Sequence, residues 1–169
     1  ADQDEADILT RIWTEPQHIE QRLTDLTEHM ENVIQTYLRN EYESIEEYNE
    51  QAGEIAEPYR LLVLADFPEG LTERGVRRLE SIIASGRRCG VFTMILRDPA
   101  REMPDGLSET ALNEGAVRLQ CTTEGWSIVH PELPPVKITV EQPPGDDQLT
   151  SIVECIGEAA AGSRRVEVP

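Results

Sequence analysis

The chain has 169 residues, a formal net charge of −18, 38% hydrophobic residues and only 5% aromatic ones. This length is enough to bury a core, and the low aromatic content predicts that the core is mostly aliphatic. We expect residues 1–169 to form a single domain. No run of about 18 apolar residues occurs, which argues against a membrane-spanning helix. The three cysteines (Cys89, Cys121 and Cys155) are far apart, which favours a reducing cytoplasm over a disulfide framework.

The charge is unevenly distributed along the chain. Residues 1–57 contain 16 acidic residues and three arginines, whereas residues 74–101 contain seven arginines and two acidic residues. A uniformly acidic protein would repel nucleic acid, so any contact with a polyanion has to be local, in the basic middle. The acidic residues themselves are typical of solvated helix faces.

A long amphipathic helix is the first predicted element, within an acidic helical segment at 1–57. Thr14 is a candidate N-cap, and Pro16 suits the first turn. Apolar residues then recur in steps of three and four and form one stripe along a helix of roughly 25 residues. The stripe faces the core or a partner protein, with the core preferred, and a short helix, SIEEYNEQAGE, follows. The stripe consists of Ile19, Leu23, Leu26, Met30, Val33 and Tyr37.

A strand–helix–strand core is predicted at 58–100. RLLVLADF and GVFTMILRDP are continuous apolar runs of strand length, a pattern that indicates parallel strands buried on both faces. Between them we predict a helix that Thr72 caps and Gly86 ends. The fold class is therefore α/β, mainly a central parallel sheet with flanking helices. The apolar face of the helix consists of Leu71, Val76, Leu79, Ile82 and Ile83.

A β meander is predicted at 101–142. AVRLQC, EGWSIVH and VKITVE are short, partly alternating strands joined by turns, and they predict an antiparallel hairpin or meander at the edge of the sheet. A C-terminal helix at 146–161 completes the domain. Its predicted inward-facing residues are Leu149, Ile152, Val153 and Ile156.

Polar side chains follow both predicted parallel strands, at the carboxyl ends where open α/β sheets bind ligands. Asp66 follows one strand, and Arg97 with Asp98 follows the next. Asp66 is a candidate catalytic group that binds Mg²⁺ or positions a water, and Arg97 and Asp98 are candidate cofactor-binding groups. The alternative is that Asp66 solvates a strand end and Arg97 pairs with an acid. No GxxxxGK[ST] loop occurs, so the backbone cradle for phosphates is missing.

Four arginines around the central helix are a second group of candidates. Arg77, Arg78, Arg87 and Arg88 would contact nucleic acid or a neighbouring subunit, or would only balance the acidic surface. Three separated histidines without HExxH spacing, and cysteines without CxxC spacing, predict no metal site. Cys89 is expected to be buried rather than reactive.

Three segments of the first 100 or so residues follow one another in an order that is known from a protein family. LTEHMENVIQTYLRNEYESIEEYNE ends in the pair Tyr48-Asn49, YRLLVLADFPEG is an acidic strand, and RRLESIIASGRRCGVFTMILRDP joins a helix to a second strand. This series resembles the FtsK/SpoIIIE family of hexameric DNA-pumping ATPases, within the HerA-like group. The positions that keep the register of the family's LxxIARxGRSxGIHLILATQRP segment are Gly86, Arg87, Gly90, Asp98 and Pro99.

The resemblance implies a partial P-loop fold of the RecA/HerA type. The family's acidic pair is reduced here to one carboxylate, Asp66, and ILRDP stands where the family has a glutamine that senses the γ-phosphate. With the phosphate loop also missing, these departures imply the C-terminal half of a degenerate ATPase domain. The chain would then be a fragment of a larger DNA translocase and would not hydrolyse ATP alone.

The cofactors and partners that follow from the resemblance belong to the parent protein. None binds this chain alone, and ATP and Mg²⁺ would bind the parent if a phosphate loop lies upstream. The expected partners are the remaining ATPase segments, neighbouring subunits and double-stranded DNA, without direct membrane insertion. A different class is also open: a non-catalytic scaffold that docks partners through the acidic helix at 16–43.

Overall fold

The computed structural model describes residues 12–39, 41–130 and 132–162. In these residues the protein is mixed α/β. The chain divides into two compact units, Trp13–Val117 and a second unit that consists chiefly of the residues from Arg118 onward. Within the described residues, the first unit contains a two-stranded parallel sheet and the second a three-stranded antiparallel sheet.

The N-terminal helix, α1 (Pro16–Val33), continues as one π-helical segment, Ile34–Leu38. The predicted cap at Thr14 is wrong, because the N-cap residue is Glu15 and its side chain makes no capping hydrogen bond. Pro16 removes one of the N–H groups that a cap would satisfy. The apolar stripe is buried at three positions, which confirms its orientation toward the core: Leu23, Met30 and Val33.

A short helix, α2 (Ile45–Ala52), follows as predicted and leads through a 3₁₀ turn at Gly53–Ile55 to the first strand. The Ser44 hydroxyl caps α2 by accepting a hydrogen bond from the Glu47 N–H. Acidic residues in the first turn, Glu46 and Glu47, suit the positive end of the helix dipole.

The predicted strand–helix–strand unit is confirmed as β1 (Arg60–Phe67), α3 (Glu73–Ser85) and β2 (Val91–Arg97). The strands are parallel, with Arg60 opposite Val91 at one end and Phe67 opposite Arg97 at the other. As predicted, α3 is capped by Thr72, whose hydroxyl accepts from the Gly75 N–H at 3.0 Å, and ends at Gly86. The Thr72 hydroxyl also donates to Glu20 of α1 at 2.5 Å, which ties the start of α3 to α1.

The core lies on one side of the parallel strands. There α1 and α3 bury Leu23, Val33, Leu79 and Ile82, and the inward side chains of the strands pack against them. These inward side chains are Leu62, Leu64 and Ile95. A short helix, α4 (Glu109–Asn113), adds two half-buried residues to the same side, Ala111 and Leu112.

The other side of the parallel strands is exposed. The prediction that both faces are buried is therefore wrong, because helices cover only one of them in the described part of the chain. In the Trp13–Val117 unit, the described residues form a two-stranded sheet with helices on one face, rather than a central sheet between two helix layers. The large apolar side chains on the exposed side are Tyr59, Leu61, Val63, Phe92, Met94 and Leu96.

The second unit begins with β3 (Arg118–Thr122), β4 (Gly125–His130) and β5 (Leu133–Ile138). They form an antiparallel meander in the order β3-β4-β5, which is a sheet of its own rather than an extension of the parallel pair. β5 begins three residues before the predicted VKITVE strand and contains Pro134 and Pro135. Proline cannot donate to a ladder, but an edge strand such as β5 tolerates it.

The last helix, α5 (Asp146–Gly162), is present where it is predicted. The prediction that its apolar residues point inward is wrong, because Leu149, Ile152, Val153 and Ile156 are all exposed. A period of three to four residues identifies one apolar face, but it does not reveal what covers that face. Among the described residues, no helix is both long enough and apolar enough to span a membrane.

Candidate functional site

Asp66 lies at the carboxyl end of β1, as predicted. Its side chain is 72% exposed, and one carboxylate oxygen lies 3.2 Å from the Arg101 guanidinium. The buried Phe67 ring follows, and a cis Phe67-Pro68 bond leads into a turn in which the Asp66 carbonyl accepts from the Glu69 N–H at 2.8 Å. The backbone therefore holds Asp66 at the strand tip, and its charge is already paired.

Arg97 lies at the carboxyl end of β2, opposite Phe67 in the ladder and thus at the same edge of the sheet as Asp66. Its guanidinium pairs with Glu109 at 3.2 Å, and its side chain is only 21% exposed. The Nε atom is buried and has no hydrogen-bond partner in the described part of the chain. This is the arrangement that the sequence left open as the alternative, an arginine paired with an acid.

Asp98 shapes the backbone after β2. Its carboxylate accepts a hydrogen bond from the Ala100 N–H at 2.9 Å, and its carbonyl accepts one from the Arg101 N–H at 3.1 Å. Such local bonds are typical of aspartate in turns. Asp98 thus positions the loop that carries Arg101 toward Asp66 and Glu69.

Three further residues belong to this strand-tip cluster and were missed in the sequence: Glu69, Arg101 and Glu109. Arg101 bridges two carboxylates, since it also lies 3.4 Å from Glu69. Arg101 is the last residue of the basic stretch at 74–101, and that stretch is the sequence signal that points to it. Glu109 follows Ser108, whose hydroxyl caps α4 by accepting from the Ala111 N–H at 3.0 Å. That capping pattern was the only sign of a helix near Arg97.

The cluster does not fit Mg²⁺ with a nucleotide. Within residues 12–39, 41–130 and 132–162, no three His, Cys, Asp or Glu side chains converge on a point where a metal ion could bind. Mg²⁺ needs oxygen ligands, and the one carboxylate at the predicted position is held by a cation. Both arginines at this edge are in turn matched by acids, which leaves them little net charge for a phosphate group.

Three of the four predicted nucleic-acid or subunit-contacting arginines have partners in the fold. Arg77 pairs with Glu73 at 2.7 Å, and Arg78 lies 3.9 Å from Glu20. Arg88 donates from Nε to the Glu43 carbonyl at 2.5 Å. Arg87 is exposed, and no ion pair to it occurs among the described residues. The structure thus brings Arg87 and Arg88 to the amino end of β2, and leaves Arg77 and Arg78 on α3.

An open cavity of about 550 Å³ lies beside the end of the π-helical segment. Tyr42, one of the residues that line it, packs edge-on against Tyr48 with 5.5 Å between ring centroids. Arg88 precedes β2, so the cavity is at the opposite end of the parallel pair from Asp66. The residues that line it are Leu38, Glu41, Tyr42, Glu43 and Arg88.

The Tyr48-Asn49 pair has a structural role. Asn49 donates from Nδ2 to the Glu57 carbonyl and accepts from the Glu57 N–H, both at 2.8 Å. This two-bond clamp fixes the chain just before β1. Tyr37 packs against Tyr48, and its hydroxyl donates to the Glu57 carboxylate at 3.4 Å. Burial, and then the neighbouring Glu57 carboxylate, raise the pKa of Tyr37.

Cys89 is buried, as predicted, and burial raises the pKa of its thiol. A thiol of this kind is a small apolar core residue rather than a nucleophile. Cys121 and Cys155 are free and exposed.

Comparison of the chain with protein-family models, with curated proteins and with solved structures finds no match.

Proposed function

We propose that the chain is a non-hydrolysing part of an FtsK/SpoIIIE-like, ATP-dependent DNA translocase. In this proposal β1, α3 and β2 belong to a larger central parallel sheet of the RecA/HerA type, which further segments of the parent protein complete. The observation that supports it is the parallel strand pair with Asp66 and Arg97 at one carboxyl edge. Nucleotide hydrolases of open α/β architecture place their acidic and phosphate-facing groups at that edge.

The same edge argues against turnover by this chain alone. Asp66 is paired with Arg101 and Arg97 with Glu109, and the sequence contains no phosphate-binding loop. ATP and Mg²⁺ would therefore bind segments outside this chain, in the parent protein or in a neighbouring subunit. Double-stranded DNA would be contacted locally at the basic stretch, where Arg87 is free of ion pairs in the described residues. The compartment of the proposed translocase is the cytoplasm.

The second candidate is a non-catalytic interaction module. The exposed apolar side of β1 and β2 favours it, because such surfaces mark contact sites. The acidic N-terminal helix is less available for this role than its sequence suggests, since its apolar stripe is buried against α3. Only the charged faces of α1 would remain for a partner.

Measured ATP turnover of the intact chain tests the absence of catalysis. With Mg²⁺ and double-stranded DNA present, we expect phosphate release at the background rate, and the Asp66→Asn variant should be indistinguishable from it. Turnover well above background that Asp66→Asn abolishes would contradict the proposal.

A binding experiment separates the two candidate functions. If the remaining translocase segments are added in trans, association that requires nucleotide supports the translocase, and association that does not depend on nucleotide supports the interaction module.

A further inference from the structure

In the part of the chain that the structure describes, one face of the parallel strand pair is exposed and apolar. We call it the open face; it consists of Tyr59, Leu61, Val63, Phe92, Met94 and Leu96. The ladder places Leu61 beside Phe92 and Val63 beside Met94, so the side chains are contiguous. Tyr59 extends the surface through an edge-on contact with the Phe92 ring at 5.8 Å.

The size of the open face exceeds what scattered surface residues produce. Six large side chains that are each about half exposed leave roughly 600 Å² of apolar surface, at the upper end of the largest patch on a typical monomer. Covering it would remove enough apolar area from water to support specific binding. Parallel strands also occur almost only in sheets with both faces covered by helices, whereas among the described residues no helix covers this face.

The shape of the open face fits a single helix. Two adjacent strands lie about 5 Å apart and rise about 3.3 Å per residue, so their side chains form a strip about 10 Å wide and about 20 Å long. An α-helix is about 10 Å across, and about 13 residues of it span 20 Å. A single amphipathic helix therefore covers the strip, whereas a second sheet would overhang it on both sides.

The charge around the open face favours a basic occupant. The chain carries a net charge of −18. At the carboxyl end of the strip, Asp66 and Glu69 are both more than 70% exposed, and they share one cation, Arg101. This end of the open face is thus negative, and a helix with lysine or arginine beside its apolar stripe complements it. A second copy of the chain would bring the same negative charge to the contact.

We propose that the open face binds an amphipathic α-helix of a partner protein, with apolar residues in steps of three and four and basic residues flanking them. This is the helix-in-groove mode of recognition, applied to a two-stranded strip. The inference goes beyond the proposed function, because it holds for a translocase part and for an interaction module alike. Its readout is binding, which fails or succeeds independently of ATP turnover.

The test uses the full chain and a designed, fluorescently labelled helical peptide of about 15 residues, with leucines on one face and lysines beside them. Fluorescence anisotropy should detect binding that weakens with salt, because part of the attraction is electrostatic. Leu61→Ser should weaken binding by about tenfold or more, since a leucine side chain loses its burial in the complex. Leu61 is 67% exposed in the free chain, so this variant keeps its fold, which thermal unfolding checks.

The matched control is Leu133→Ser. Leu133 is also a strand leucine, it is 61% exposed, and it belongs to β5 rather than to the open face. This change should leave peptide affinity within about twofold. An otherwise identical peptide with glutamate in place of lysine should bind about tenfold more weakly or worse.

Two outcomes would overturn the inference. One is peptide binding that is absent, or that Leu61→Ser and Leu133→Ser affect equally. The other is a dimer in light scattering that Leu61→Ser dissociates while the wild-type chain ignores the peptide, because a second copy would then be the occupant of the open face.

Discussion

Arg101 forms an ion pair with the Asp66 carboxylate, and the sequence does not reveal this pairing. The position of Asp66 at a strand tip could be predicted, because an apolar run ends there. Its partner could not, since Arg101 lies 35 positions further along and reaches Asp66 through a loop that Asp98 shapes. The ion pair is solvent-exposed, so its effect on stability is small, but it occupies the carboxylate that a metal ion would need.

His29 is one residue whose titration we expect to link pH to stability. Its Nε2 atom is buried without a partner among the described residues. Burial, and then the nearby Arg60 cation, lower its pKa, while Glu57 acts in the opposite direction. The folded protein thus favours the neutral imidazole. The stabilisation is complete above the ordinary pKa of about 6.5 and is lost as the pH falls through the lowered folded pKa, because the unfolded chain then binds the proton more readily.

We therefore predict that urea unfolding midpoints decrease between about pH 7 and about pH 5, and that His29→Gln flattens this decrease. The glutamine keeps a neutral polar side chain that does not titrate. An unchanged slope in His29→Gln would show that other groups cause the pH dependence.

At the scale of elements, the sequence predicts the strand–helix–strand unit well. Thr72 caps α3, Gly86 ends it, and both parallel strands lie where the apolar runs are. The failures have a physical cause in common: an apolar run or stripe shows that a face avoids water, but not which element covers it. The open face and the exposed face of α5 are the two examples. α4 escaped prediction because five residues are too few for a periodic signal.

Gly86 and Gly90 are both required by local geometry. Gly90 has a φ of 75°, and a Cβ on it would lie 2.8 Å from Ile45. Gly86 has an ordinary φ, but a Cβ there would collide with the carbonyl oxygens of Ile82 and Val91, and backbone cannot move aside as a side chain does. The spacing of these two glycines thus has a structural explanation in the turn between α3 and β2.

We predict that Gly86→Ala lowers the free energy of unfolding by about 1–3 kcal/mol, because the turn must shift to admit the methyl group. Urea unfolding followed by circular dichroism measures this. Gly157→Ala is the control with the opposite sign: that glycine lies in α5 with no atom near the added Cβ, and alanine should be neutral or stabilise by up to about 1 kcal/mol. Equal effects of the two changes would refute the steric argument.

At the scale of the whole molecule, the two units differ in how they expose apolar surface. The Trp13–Val117 unit has a buried core on one side of its strands and the open face on the other. The second unit is a three-stranded meander and a helix, α5, whose apolar residues are exposed. We infer that the parallel pair is covered on one side only within the described residues, and that its open face is accessible to a partner.

The solvent accessibility of individual methyl groups, measured in solution, shows whether the open face is covered. With a soluble paramagnetic agent added to the intact chain, methyl NMR should show relaxation of Leu61, Val63 and Leu96 several-fold faster than that of Leu79 and Ile82, which are almost completely buried. Protection of the three strand methyls to the level of the two core residues would mean that the open face is already covered and cannot receive a partner helix.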